Sequence, residues 1–253
     1  RIKTTAGFWP LIAGIPSSED APELINHLKN DDEFARRHLF PSLSADEDGF
    51  KPNGAYWRGG VWGNENYMTI AGLKRYGEYE FATTTAWNHI TNMEKIFTGY
   101  FPDTSLIDEK YWANCNATVW ELYSPENDQP GTRWDTYNLC RPNYIPTSGF
   151  GPVAMLIEDV LGFNVNGPDD QLTWRLWLLN KHGIRNLKFG NNLVTLWCEK
   201  RETKESPVDI KGLTSSPFFL TIILEQDTIT IKQPRGRINI SFKMEDIKKI
   251  NKD

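Results

Sequence analysis

The sequence predicts a mainly α-helical first part followed by a small antiparallel β module. From residue 5 to about 163, apolar residues recur at helical spacing and the breaks carry helix punctuation. Beyond Gly167 the apolar residues alternate in short runs separated by turn residues. Composition places both parts among globular folds: 253 residues, 39% hydrophobic and 24% charged, give enough chain to bury a core. The expected domains are 1–165, helical, and 166–253, a β-sandwich-like module.

The helices are read in order. Phe8-Trp9-Pro10-Leu11-Ile12-Ala13-Gly14-Ile15 makes a short apolar helix. Ser18 is placed as the cap of a second helix over 20–29, whose acidic first turn complements the helix dipole, and the two read as a hairpin. A long loop follows over 41–57. Residues 62–76 form an amphipathic helix that stops at Gly77, and 78–98 form another that stops at Gly99. The connection over 100–148 is too long to be passive inside a compact domain. Residues 150–161 give one more buried helix. Strands are expected over 172–177, 193–197, 218–224, 228–231 and 237–241.

The net charge is -5 and the 28 Lys and Arg are scattered, which leaves no electrostatic footprint for nucleic acid or an anionic bilayer. No stretch approaches the roughly 18 consecutive apolar residues of a membrane span. Arg1 is not followed by a signal-peptide pattern and reads as a boundary rather than a natural start, so localisation stays open. Cys115, Cys140 and Cys198 match neither a metal motif nor a disulfide framework; they read as core residues, with a Cys115–Cys140 bridge as the alternative. The four histidines lack ligand spacing and no phosphate-binding loop follows a strand, so no cofactor or metal is expected.

Two segments concentrate chemistry. In Tyr56-Trp57-Arg58-Gly59-Gly60-Val61-Trp62-Gly63-Asn64-Glu65-Asn66-Tyr67, indole faces suit sugar rings, Arg58 suits a hydroxyl pair or a carboxylate, and two glycines admit close backbone approach. The alternative is a loop whose aromatics plug a helix end. In Trp120-Glu121-Leu122-Tyr123-Ser124-Pro125, Glu121 sits among bulky neighbours, where desolvation favours base chemistry and Tyr123 is within reach to hold it. The bland alternative for Glu121 is an ion pair with Arg58, Arg133 or Arg141. Asp103, Glu65 and Asp135 are the loop and helix-end carboxyls available as a partner acid.

These motifs resemble glycoside hydrolase family 63. Tyr56-Trp57-Arg58-Gly59, Trp62 and Asn66-Tyr67 match its "YWRG-x-x-W-x-x-x-NY" pattern, Trp120-Glu121-x-Tyr123-x-Pro125 its "WE-x-Y-x-P" pattern, and Thr5-Ala6-Gly7-Phe8-Trp9-Pro10-Leu11 its lead-in helix. The resemblance spans about 4–163 and leaves out the β region. It implies the C-terminal portion of an (α/α)6 toroid, the six-hairpin glycosidase fold, and inverting, exo-acting hydrolysis of an α-glycosidic bond, as in an α-glucosidase. Glu121 would be the general base, and Trp57, Arg58, Trp62, Asn66, Trp120 and Tyr123 would bind an oligosaccharide or α-glycoside substrate. The family's acid lies in a "WDSG-x-DNS" segment that this chain lacks, so the expected partner is a missing N-terminal part of the same catalytic domain. Rival expectations are a trehalase-like or other-specificity hydrolase on the same toroid, and a noncatalytic carbohydrate-binding protein.

Overall fold

The computed structural model describes residues 1–243, so residues 244–253 of the expected β module lie outside the described residues. The chain divides into two compact units, Arg1–Leu156 and a second from Ile157 onward. A 3-10 turn over Thr5–Phe8 leads into α1 (Trp9–Ala13), and α2 (Ala21–Leu28), α3 (Gly63–Arg75) and α4 (Tyr79–Gly99) follow. The short α5 (Ile145–Ser148) and α6 (Phe150–Ala154) close the first unit. Strands β1 (Phe163–Asn166), β2 (Gln171–Arg175), β3 (His182–Phe189), β4 (Asn192–Cys198), β5 (Val208–Thr214), β6 (Phe218–Leu224), β7 (Asp227–Gln233) and β8 (Gly236–Phe242) make up the second. The expectation of a mainly helical chain is therefore corrected to a mixed one, because among the described residues eight strands follow the helical part. No helix of the described residues is long and apolar enough to cross a membrane.

In the first unit the principal partner of α1 is α3, not α2 as the expected hairpin required. Gly72 makes this possible: a Cβ there would lie 2.9 Å from the Leu11 Cβ. The left-handed Gly14 (φ 68°) ends α1, and the left-handed Gly77 (φ 83°) turns α3 into α4. Ser18 does not cap α2. Asp20 occupies the N-cap, and its own backbone N–H is held by the Ser17 hydroxyl at 3.1 Å. The expected helix over 150–161 is α-helical only as far as Ala154 and continues as a π-helical stretch over Met155–Val160.

The two long loops are ordered by isolated β-bridges. Val61 pairs with both Pro41 and Tyr123, Tyr123 with Pro130, and Thr132 with Leu139. Their apolar side chains join Ile96 of α4 in one core with Val61, Trp62, Trp120, Leu122, Tyr123 and Leu139, together with Cys115 and Cys140. Those two cysteines are not bridged. Each thiol donates to a backbone carbonyl instead, Cys115 to Trp112 and Cys140 to Leu122, both at 3.2 Å.

In the second unit the sheets run β1-β2-β6-β7 and β3-β4-β5-β8. Every pairing is antiparallel except β2 with β6, which is parallel, an exception the sequence pattern did not reveal. Alternate residues of both sheets, among them Leu172, Trp174, Leu220 and Ile222 from one and Val194, Leu196, Ile210 and Ile238 from the other, share a single core. The buried Arg201 guanidinium donates to the Leu176 and Leu178 carbonyls and ties the segment after β2 to the segment after β4.

Candidate active site

The pairing of Val61 with Tyr123 places the two chemistry-bearing segments side by side: each residue's N–H donates to the other's carbonyl, at 2.9 and 3.0 Å. Glu121 is only 4% exposed. Its N–H donates to the Arg141 carbonyl at 2.9 Å, and its own carbonyl accepts from the Ser148 hydroxyl at 2.5 Å. With the backbone held on both sides, the carboxylate is fixed. Its Oε1 accepts from the Tyr56 hydroxyl at 3.0 Å, whereas Oε2 has only a long contact, 3.5 Å, from the Arg141 N–H.

Tyr56 adopts a left-handed backbone conformation (φ 63°) that a bulky side chain rarely takes up, and Ala55 before it is also at positive φ (29°). The turn is over-determined by its hydrogen bonds, since Tyr56 N–H donates to the Thr132 carbonyl and its carbonyl accepts from Gly60 N–H. Gly59 must be glycine here: φ is 132° and a Cβ would lie 2.9 Å from the Lys51 carbonyl oxygen. Burial and the neighbouring Glu121 carboxylate push the Tyr56 phenol up to about 12, so it is a donor throughout the physiological range.

A cavity of about 290 Å3 opens in front of the pair, lined by Tyr56, Asp108, Lys110, Glu121, Arg133, Trp134 and Arg141. The Tyr56 ring lies 5.0 Å from Trp62 edge-on, 6.2 Å from Trp57 and 5.4 Å from Trp134. Trp57, 41% exposed, stacks on the buried Trp62 at 4.3 Å with only 10° between the planes. Arg133 is paired with Asp108 at 2.8 Å and holds that carboxyl below the usual carboxylate range.

Of the residues expected from sequence, Glu121 and the Trp57–Trp62 stack are thus joined through Tyr56. Neither tryptophan lines the cavity itself, and the other four are not brought to it either. Arg58 turns away, its Nε donating to the Gly49 carbonyl at 3.0 Å. Asn66 is wholly buried: its Oδ1 accepts from Phe40 N–H at 3.2 Å, and its Nδ2 serves the Leu39 carbonyl and lies 3.0 Å from His89 Nδ1. Trp120 and Tyr123 are core residues, each 1% exposed, and the Tyr123 hydroxyl accepts from Trp120 N–H rather than holding Glu121. Burial pushes the Tyr123 phenol up strongly.

The sequence reading missed Tyr56 as the partner of Glu121, and Trp134, Lys110 and Arg141 as cavity walls. The signal available for Tyr56 was its place beside Trp57 in the first motif. Of the candidate partner acids, Glu65 is 5% exposed and accepts from Thr5 Oγ1 and Trp9 Nε1. Asp103 accepts from Ser105 N–H, and Asp135 from the Tyr137 and Asn138 N–H groups. None of the three lines the cavity.

Comparison with known proteins identifies the class. The family model for the mannosylglycerate hydrolase MGH1-like glycoside hydrolase domain matches residues 1–138, and the chain belongs to that family, within glycoside hydrolase family 63. An uncharacterized protein of Borreliella burgdorferi is 27% identical over 95% of this chain and 48% of its own length. The mannosylglycerate hydrolase of Thermus thermophilus is 38% identical over 94 residues, 37% of this chain and 22% of that protein. A solved structure of a family 63 mannosylglycerate hydrolase from Thermus thermophilus, in complex with Tris, aligns with a TM-score of 0.43 at 28% identity, over 61% of this chain and 29% of that one. The chain thus spans about half or less of the length of these relatives.

Proposed function

We propose that these residues form part of an inverting, exo-acting glycosidase that cleaves an α-glycosidic bond, with Glu121 as the general base. The observation that carries this reading is a buried carboxylate fixed by Tyr56 at the wall of a cavity with aromatic and cationic sides. An inverting hydrolase needs two carboxyl groups roughly 6.5–9.5 Å apart, so that a water fits between one of them and the anomeric carbon. Oε1 is committed to Tyr56, which leaves Oε2 to take the proton of that water as its oxygen attacks. Trp57 and Tyr56 offer ring faces to the sugar, while Trp62, Asn66, Trp120 and Tyr123 support the wall. The leaving oxygen requires an acid on the opposite face. Asp108, held ionised by Arg133, is a poor proton donor, which favours an acid from outside these residues: the N-terminal part of an (α/α)6 toroid of which 1–165 would be a portion, with 166–253 as an appended β-sandwich-like module.

A second reading concerns the substrate. The resemblance implied an α-glucosidase-like enzyme, but Lys110, Arg133 and Arg141 on the cavity wall favour a glycoside that carries a carboxylate. Arg141 enters no ion pair among the described residues, so its charge is available. The name of the Thermus relative, a mannosylglycerate hydrolase, points the same way.

The test is kinetic. In the complete enzyme, Glu121→Gln should lower kcat by about 10²–10⁴-fold with substrate binding nearly unchanged. Unchanged turnover would favour a noncatalytic carbohydrate-binding role. Arg141→Ala should raise KM about tenfold or more for a carboxylate-bearing glycoside and leave a neutral α-glucoside unaffected. An equal effect on both would refute the acidic-substrate reading.

A further inference from the structure

Helix α4 is apolar on two faces. Ala82, Ala86, His89 and Ile96 turn into the first unit, all nearly inaccessible. Trp87, Ile90 and Phe97 fall on a second stripe about a third of a turn away, and Trp87 and Phe97 are 49% and 45% exposed. Ile90 and Phe97 of that stripe, with Met93, form one wall of a groove of about 370 Å3; Ile145, Phe150 and Val153 of α5 and α6 face it. Phe150 is 68% exposed and Val153 55%. A helix that lies at a surface needs one apolar stripe, whereas a helix with two belongs between layers. Contiguous exposed apolar surface of this kind marks an interaction site. Glu94 is the charged residue in the lining.

We propose that the α4–α6 groove seats an amphipathic α-helix from the other half of the glycosidase, the part that the longer relatives carry outside the matched region. The Borreliella protein aligns with 95% of this chain and yet has as much chain again, since the match takes up 48% of its length. The chemistry of the groove specifies the occupant: large aliphatic anchors at i, i+3 or i+4 and i+7 to fill the space between Phe97 and Phe150, and a Lys or Arg opposite Glu94. This inference rests on the reading that a companion segment completes the catalytic centre, and it adds where that segment docks.

Thiol protection tests it. Phe97→Cys and Val153→Cys place reporters in the groove and Glu23→Cys, on exposed α2 surface, serves as the reference. The three native cysteines are buried, so the background is low, and their exposure would reveal a misfolded variant. In the 253-residue chain all three engineered thiols should react rapidly with an aromatic disulfide reagent. In the complete gene product the two groove thiols should slow by tenfold or more and the reference should not. Equal reactivity in both forms overturns the proposal. So does protection already present in the 253-residue chain, whether monomeric or accompanied by dimerisation. The two readings fail separately: a protected groove without turnover sinks the catalytic assignment alone, and turnover with a reactive groove sinks the docking surface alone.

Discussion

Removing one oxygen from Tyr56 or one charge from Glu121 should be visible without any substrate. Burial is the larger cause of the raised Tyr56 phenol and the Glu121 carboxylate the next. In Glu121→Gln, with tyrosine ring carbons labelled for NMR, the Tyr56 midpoint should fall from about 12 yet stay above the ordinary value of about 10. A midpoint that does not move would mean that the hydrogen bond is absent in solution. The burial of Glu121 was legible in the sequence because its neighbours Trp120, Leu122 and Tyr123 are bulky and apolar. Its partner was misassigned to Tyr123, the nearer residue in sequence, because hydrogen-bond partners depend on how distant segments pair. The Val61–Tyr123 bridge turns the Tyr123 ring into the core and brings Tyr56 across instead. Arg58 was misread for a related reason: a charge beside two tryptophans was taken as aimed with them, but the left-handed turn at Tyr56 sends it toward Gly49.

His89 gives a second prediction at this scale. It is fully buried, and burial first, then the charge of His38, lower its pKa from 6.5 to about 4. With Nδ1 accepting from Asn66, the folded state holds it neutral. Between pH 6.5 and 4 the unfolded chain therefore binds more protons than the folded one, and stability falls as pH falls through that window. The loss by pH 4 should be on the order of 3 kcal/mol. Melting temperatures measured from pH 7.5 to 4 should decline for the native chain and decline less for His89→Gln. Parallel declines would refute the assignment.

At the scale of elements, α1 depends on a missing side chain. Gly72→Val puts atoms where Leu11 now packs, 2.9 Å from the position of the new Cβ, and should destabilise the first unit by about 1–3 kcal/mol. Gly99→Ala, at the end of α4 with nothing within 4 Å, should change stability by no more than about 0.5 kcal/mol. Urea titration of both separates packing from a general cost of replacing glycine. Helices α3 and α4 were legible because their stripes are long and each is followed or ended by a glycine. Strands β1, β3 and β5 were not, each for its own reason. β1 has four residues, too few for a period. The alternation of β3 is broken by a register shift between Ile184 and Leu187. β5 alternates from Val208 to Lys211 and then meets Gly212, which reads as a break, although a Cβ there would lie only 2.1 Å from the Thr195 carbonyl oxygen. The parallel pairing of β2 with β6 joins strands far apart in sequence, and a period of two carries no information about strand direction.

At the scale of the whole molecule, the change from helical to alternating period was the clearest signal in the sequence, and the structure divides the chain into two compact units a few residues earlier, between Leu156 and Ile157. Ile70 is fully buried within the helical unit, and Ile222 is fully buried in the core shared by the two sheets. Truncating either to Ala removes a buried branched side chain and leaves a cavity, at a cost of about 2–5 kcal/mol. The core shared by the two sheets is built from residues of the second unit and Ile70 lies in the first, so each loss should stay within its own unit. Calorimetry should therefore show two unfolding transitions, with Ile222→Ala lowering one and Ile70→Ala the other. Far-ultraviolet circular dichroism can assign them, since the helical signal should melt with the transition that Ile70→Ala shifts. A single transition lowered equally by both substitutions would mean that the units unfold as one, and the two-unit account of stability would fail.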